Sequence, residues 1–364
     1  MPALGRFIFG LFLCSLICIT GCTSTTENSQ SQTNNVFPNT QWQRAAPASL
    51  NLNADKVQQA MAKLKDICDE FGNDRALLIY KGRIVWEGKD TSTQTHIWSC
   101  TKSYMSTCLG LLWDDGKCTP QTLLKDIAPE FGEHYPKVTL EHLATFTSGY
   151  NHVKGQVFTP APPMYPMGTA LLYTDQSDVL GLALSKLAGR SLDTLFKERI
   201  GDPIGMDHEQ YRWKDYGPID GITINGGAGF ITSGLEMNAL QMARFGWLYA
   251  NHGKWDGKQL ISKRYIDYAT VPRVPSDLPA HHDHHWHKSL PGCYGLNWHV
   301  NGIDYTGKRK WPNAPTDTFA AQGNHNNICI IIPKWDMVLV RMGGDKVIRL
   351  SEYDKVIELL GQAR

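Results

Sequence analysis

The chain has 364 residues, of which 42% are hydrophobic and 20% charged, and its formal net charge is +1. This is a globular composition, long enough for a large core with one or two sub-domains. Lys and Arg are scattered among Asp and Glu, with no basic stripe and no aromatic–basic interleaving, so nucleic acid is excluded as an expected partner.

Arg6 precedes an apolar run over residues 7–19, followed by Ile19-Thr20-Gly21-Cys22. A positive start, a short apolar stretch and small residues before a cut read as a secretory signal over residues 1–21, too short to span a bilayer comfortably. The residues at the cut resemble a bacterial lipobox, which implies lipidation of Cys22 and a protein anchored on the periplasmic side of the bacterial envelope. Residues 22–49 are polar and low in complexity and are expected to form a flexible tether, and residues 50–364 the folded domain.

Within that domain, Val57, Met61, Leu64, Ile67 and Cys68 recur at helical spacing over residues 54–71, with Asn53 as cap and Gly72 as stop. Residues 76–80 and 83–86 read as a β-hairpin about Lys81-Gly82. Helices are expected over 104–113, 177–187 and 235–250, strands over 328–332 and 337–342, and a last helix over about 352–360. Strands thus lie near both ends and helices in between. The expected fold is α/β (α+β), with one antiparallel sheet drawn from residues 50–98 and 290–364, flanking terminal helices, and a mainly helical insertion over 99–289. The seam between the two parts is the expected place for a cleft.

The stretch Ser99-Cys100-Thr101-Lys102 follows the strand-like His96-Ile97-Trp98, and Ser99 alone among the serines has a Lys three residues on. If a helix starts here, positions i and i+3 share a face, so the amine lies over the hydroxyl. That is one way to activate a serine without a histidine. The helix N-terminus offers N–H groups to an oxyanion. Cys100 sits one residue off the face of Lys102, so the geometry favours Ser99 as nucleophile. Six cysteines follow Cys22, namely Cys68, Cys100, Cys108, Cys118, Cys293 and Cys329. An exported chain permits disulfides, but the sequence does not choose a pairing, and none of the six has C-x-x-C metal spacing. The run from His281 to His287 holds five His in seven residues; it is read as a solvated loop, with metal binding as the alternative. No metal and no cofactor are expected.

Several further pieces in order carry a likeness. Thr139 to His142 leads into Leu143-Ala144-Thr145-Phe146-Thr147-Ser148-Gly149; then come Tyr173-Thr174-Asp175, Gly226-Gly227 through Ala243-Arg244-Phe245-Gly246, Tyr294-Gly295-Leu296-Asn297-Trp298 and Ile331-Ile332-Pro333. With Ser99-Cys100-Thr101-Lys102, residues 50–364 resemble the serine β-lactamase and penicillin-binding-protein superfamily. The nearest branch is the one containing class C β-lactamases, D-alanyl-D-alanine carboxypeptidases, β-lactamase-like esterases and 6-aminohexanoate-dimer hydrolase. The resemblance implies an acyl-enzyme on Ser99, with Lys102 and Tyr173 handling protons and the N–H groups of Ser99 and Asn324 forming the oxyanion hole. Gly323 permits the close approach, and His325 and Tyr150 line the pocket by position, with lower-ranked Tyr165 and Trp298.

Two positions depart from the family pattern. Asp175 stands where the family has Asn, and is expected to pair with Lys102 and pass the role of base to Tyr173. Ala321-Gln322-Gly323 stands where penicillin-recognising members have Lys/His-Thr-Gly, so the group that meets their substrate carboxylate is missing. The 6-aminohexanoate-dimer hydrolases and some esterases lack it too. The expected substrate is therefore a carboxylic ester or non-peptide amide of a small molecule. A β-lactamase or D-alanyl-D-alanine carboxypeptidase is the first alternative, and a non-catalytic binding or sensor lipoprotein the second.

Overall fold

The computed structural model describes residues 35–68, 71–227, 234–281, 288–344 and 350–364, all within the unit Asn35–Arg364. The signal over residues 1–21, Cys22 and the first part of the tether lie outside the described residues. The later part of the expected tether is packed. Val36 N–H donates to Lys81 O at 3.2 Å, Ala45 N–H to Ile84 O at 3.0 Å, and Trp42, only 7% exposed, donates Nε1–H to Leu240 O. The reason is the few apolar residues among the polar ones: Val36, Phe37 and Trp42 find a hairpin edge and a helix to cover.

Helix α1 (Ala54–Asp66) starts where Asn53 accepts from Lys56 N–H at 3.0 Å, and ends sooner than the apolar spacing predicts. Strands β1 (Ala76–Tyr80) and β2 (Arg83–Glu87) form the expected hairpin, with Lys81 and Gly82 both at positive φ in its turn. Helices α2 (Thr101–Asp114), α3 (Gln176–Ala188) and α4 (Ala239–Ala250) belong to the insertion. The helix expected over 235–250 is shorter than that. Leu235–Met237 is a strand between Thr95–His96 and Tyr211–Trp213, and Asn238 caps α4 by accepting from Gln241 N–H. Strands β3 (His299–Val300), β4 (Phe319–Gly323), β5 (Asn327–Ile332) and β6 (Met337–Arg341) follow, then helix α5 (Asp354–Gln362).

The main sheet has six strands in the order β3-β4-β5-β6-β1-β2, antiparallel throughout, so the two ends of the chain meet where β6 pairs with β1. Side chains alternate in period two between two cores. Leu78, Ile328, Ile330, Met337 and Leu339 pack with α1 and α5, while Leu77, Ile79, Cys329, Ile331, Val338 and Val340 pack under α4. This explains why β1, β5 and β6 read as continuous apolar runs: both faces are covered. Helix α4 sits close because Gly246 leaves room; a Cβ there would lie 2.6 Å from Cys329 Sγ and 2.7 Å from Val338 Cγ1.

Candidate active site

Strand β3 pairs only with Phe319 and Ala320 of β4. Beyond them, β4 runs against the turn that carries Ser99. A Cβ on Gly323 would lie 2.1 Å from Ile97 O and 3.0 Å from Ser99 N, so only glycine lets the two backbones meet. The turn itself is a 3-10 segment, Trp98–Cys100, between the strand Thr95–His96 and α2. Trp98 is held at φ 52°, an uncommon conformation for a bulky side chain. Its ring lies between His96, with centroids 4.8 Å apart, and His325, at 4.9 Å.

Helix α2 begins at once after the turn, and its second residue, Lys102, is 1% exposed. Lys102 Nζ donates to Ser99 Oγ at 3.0 Å and lies 4.8 Å from the centroid of the Tyr173 ring. The three residues expected to carry catalysis are thus together. Cys100 is not part of the set: its thiol is fully buried, donates to Asn327 O at 3.5 Å, and burial pushes its pKa well up. A thiol in that state is a poor nucleophile.

Tyr173 is placed by the turn after the short helix Leu140–Ala144. Phe146 stands at φ 62° and stacks on the Tyr173 ring, with centroids 4.2 Å apart, while its carbonyl accepts from Leu172 N–H at 2.8 Å. Gln176, wholly buried, ties the same two segments together. Its Nε2–H donates to Leu172 O at 2.6 Å, and its Oε1 accepts from Ser148 Oγ–H at 2.6 Å. The sequence reading missed Gln176; a polar residue at the first helical position after Tyr173-Thr174-Asp175 is the only signal it leaves.

Asp175 does not pair with Lys102. Its Oδ2 accepts from His152 Nε2 at 3.1 Å, and His152 is a residue the sequence reading also missed. The reason is geometric: Asp175 occupies the N-cap of α3, where its side chain faces the strand Asn151–Val153. Tyr150 is corrected too. It is buried, its hydroxyl donates to Val157 O at 2.6 Å, and it stacks among Phe131, Tyr135 and His152 as core behind the site. Burial raises its pKa, so it is no proton donor or acceptor for a substrate. Trp298 is likewise core, packed on Phe245, Tyr249 and Phe319, and Tyr165 stacks on His281.

Asn324 follows Gly323 on the exposed side of the same turn, and its carbonyl accepts from Asn327 Nδ2 at 2.7 Å. His325, at φ 56°, is half-buried against Trp98, with Nδ1 3.2 Å from Gly344 O. Gly227 N–H donates to Asp178 Oδ1 at 2.8 Å, fixing the glycine turn on α3. Residues 282–287 of the histidine run lie outside the described residues; among the described residues no cluster of His, Cys, Asp or Glu could hold a metal. The six cysteines after Cys22 are free and buried. A separate open cavity of about 710 Å³ lies between the strand Thr95–His96 and Arg212, and none of the residues expected to act in catalysis lines it.

The comparisons with known proteins agree with this geometry. A family model described as "Beta-lactamase" matches residues 74–343. No curated protein matches the chain by sequence. Among solved structures, a penicillin-binding protein homologue from Caulobacter crescentus is 17% identical at a TM-score of 0.64, covering 85% of this chain and 97% of its own. A family VIII carboxylesterase is 17% identical at a TM-score of 0.63, covering 89% and 99%. The D-alanine carboxypeptidase AmpC from Burkholderia cenocepacia is 15% identical at 0.60, covering 85% and 100%. At these identities the structures share the fold. The family model spans most of the chain, from the first strand of the sheet to the last, and the chain therefore belongs to the beta-lactamase family of hydrolases.

Proposed function

We propose that the protein is a serine hydrolase that cleaves a carboxylic ester or non-peptide amide of a small molecule through an acyl-enzyme. The observation that carries this is the 3.0 Å hydrogen bond between Lys102 Nζ and Ser99 Oγ beside the Tyr173 ring. Ser99 Oγ attacks the carbonyl carbon, and its proton passes to the Lys102–Tyr173 pair. The carbonyl oxygen becomes an oxyanion that the N–H groups of Ser99 and Asn324 receive, a role favoured by the close contact of Gly323 with the Ser99 turn. The leaving alkoxide or amine takes the proton as the tetrahedral intermediate collapses. Water then repeats the sequence and releases the acid. The buried Ala321, in place of a cation, is the ground for preferring esters and amides to β-lactams.

The lipobox-like residues support export and anchoring through Cys22 on the periplasmic side of a bacterial membrane. Among the described residues no helix is long and apolar enough to cross a membrane. The test is a panel of esters, amides and a chromogenic cephalosporin run on the wild type and on Ser99→Ala. Ester or amide turnover lost in the variant supports the reading, whereas turnover unaffected by the substitution sinks it. Cephalosporin turnover exceeding that of esters would establish the β-lactamase alternative. Failure of an active-serine phosphonate to label Ser99 would revive the non-catalytic one.

A further inference from the structure

Beside the catalytic set stands a carboxylate that the mechanism does not use. Asp175 lies two residues after Tyr173, with its side chain 29% exposed and its partner His152 24% exposed. Both ring nitrogens of His152 meet acceptors: Nε2 meets Asp175 Oδ2 at 3.1 Å, and Nδ1 meets Val153 O at 2.9 Å. The imidazole is thereby spent on holding the carboxylate and has no polar atom left for a ligand. The second carboxylate oxygen, Oδ1, has no hydrogen-bond partner among the described residues and is open to solvent. A carboxylate oxygen only accepts, so the group it receives must be a donor, and a cationic donor is bound best. Lys102, the nearest cation in the catalytic set, is directed to Ser99 instead.

We propose that Asp175, braced by His152, is a subsite for a protonated amine, so that the substrate is an ester or amide carrying an ammonium group near its scissile carbonyl. This rests on the serine hydrolase reading and deepens it. It also reverses the charge preference of a site built for substrate carboxylates: the cation such a site needs is absent at Ala321, and an anion stands at Asp175. The backbone grip of Val153 on His152 keeps the carboxylate in place before substrate arrives, which lowers the ordering cost of binding.

The test uses 4-nitrophenyl esters of equal chain length ending in dimethylammonium, isopropyl or carboxylate. These three groups are close in size and differ in charge. In the wild type, kcat/KM for the ammonium ester exceeds that of the isopropyl ester by about tenfold, the scale of one charge-assisted hydrogen bond. The carboxylate ester is the poorest of the three. In Asp175→Asn the ammonium-to-isopropyl ratio falls toward one, and in His152→Ala it falls part of the way. A ratio near one in the wild type, or one unchanged in Asp175→Asn, overturns the proposal. Calorimetry on Ser99→Ala with an alkyl dimethylammonium ion and the matching alkanoate reads the subsite without catalysis. Binding of the cation that weakens about tenfold on adding Asp175→Asn supports the subsite even if no ester is cleaved, and absence of that loss overturns it. Failure of all three esters with the cation still bound would count against the hydrolase reading alone.

Discussion

Lys102 Nζ stands 3.0 Å from Ser99 Oγ, and the lysine that carries it is 1% exposed, so the amine reaches the hydroxyl from inside the protein. One turn of α2 sets this spacing, and the Gly323 contact holds the turn. Lys102→Met keeps the stem and removes the amine. General-base catalysis contributes roughly a hundredfold to ten-thousandfold, so kcat on an activated ester should fall at least a hundredfold. Replacing a buried amine with an apolar group should leave the melting temperature unchanged or raised. Steady-state kinetics with a thermal melt on the same preparation checks both.

Tyr173→Phe retains the ring that stacks on Phe146 and removes only the hydroxyl. The fold should be untouched and kcat should drop by roughly a hundredfold or more, the lower range for loss of a proton-transfer group. Full activity in this variant would remove Tyr173 from the mechanism. Comparison with Phe146→Ala, which disturbs the ring but spares the hydroxyl, separates chemistry from positioning.

Gly323→Ala places a methyl group 2.1 Å from Ile97 O. Strand β4 must then move off the Ser99 turn. Overpacking of this kind costs about 1–3 kcal/mol, and the displaced N–H groups lose their aim at the oxyanion. A melting temperature lower by several degrees, with kcat reduced at least tenfold, is the expected pair of results from calorimetry and ester kinetics.

Lys310 is a buried amine remote from these steps, 3.4 Å from His299 Nδ1, and burial lowers its pKa from 10.5 to about 8, against the weaker opposing pull of Cys293 and Asp304. Below pH 8 the amine is charged in both folded and unfolded chains, and the folded chain bears the full cost. Between pH 8 and 10.5 the unfolded chain holds the extra proton, so stability rises with pH through that window by about 3 kcal/mol. The buried thiols of Cys108 and Cys329, whose pKa values are raised, act the other way at alkaline pH. The quantity to measure is therefore the difference between wild type and Lys310→Met in urea unfolding at several pH values. Lys310→Met should be the more stable protein below pH 8, with the gap closing as pH rises; a gap independent of pH would show that Lys310 is not desolvated.

Much of this molecule is legible in local patterns. Asn53 caps α1, Lys81-Gly82 turns the hairpin, and the i to i+3 spacing of Ser99 and Lys102 survives into a real hydrogen bond, because each depends on residues a few positions apart. The apolar runs of β1, β5 and β6 likewise announce strands buried on both faces. Residues 235–237 misled because a short apolar stretch beside a helix carries the same composition whether it is strand or helix. The pairing that decides it comes from Thr95–His96, far away in the chain. Trp42 misled for a similar reason: one aromatic in a polar segment says nothing until the surface it covers exists.

By itself, then, the sequence determined the nucleophile with its amine, the two-ended sheet and the helical insertion, since these follow from periodicity and from spacings within one or two turns. The tertiary structure alone decided the partners reached across the fold. Asp175 bonds His152 where Lys102 was expected, Gln176 joins the Phe146 turn to Tyr173, Tyr150 belongs to the core, and Gly323 matters for the Ser99 backbone it touches. Such contacts depend on where separate segments pack, and no local spacing in the chain encodes them.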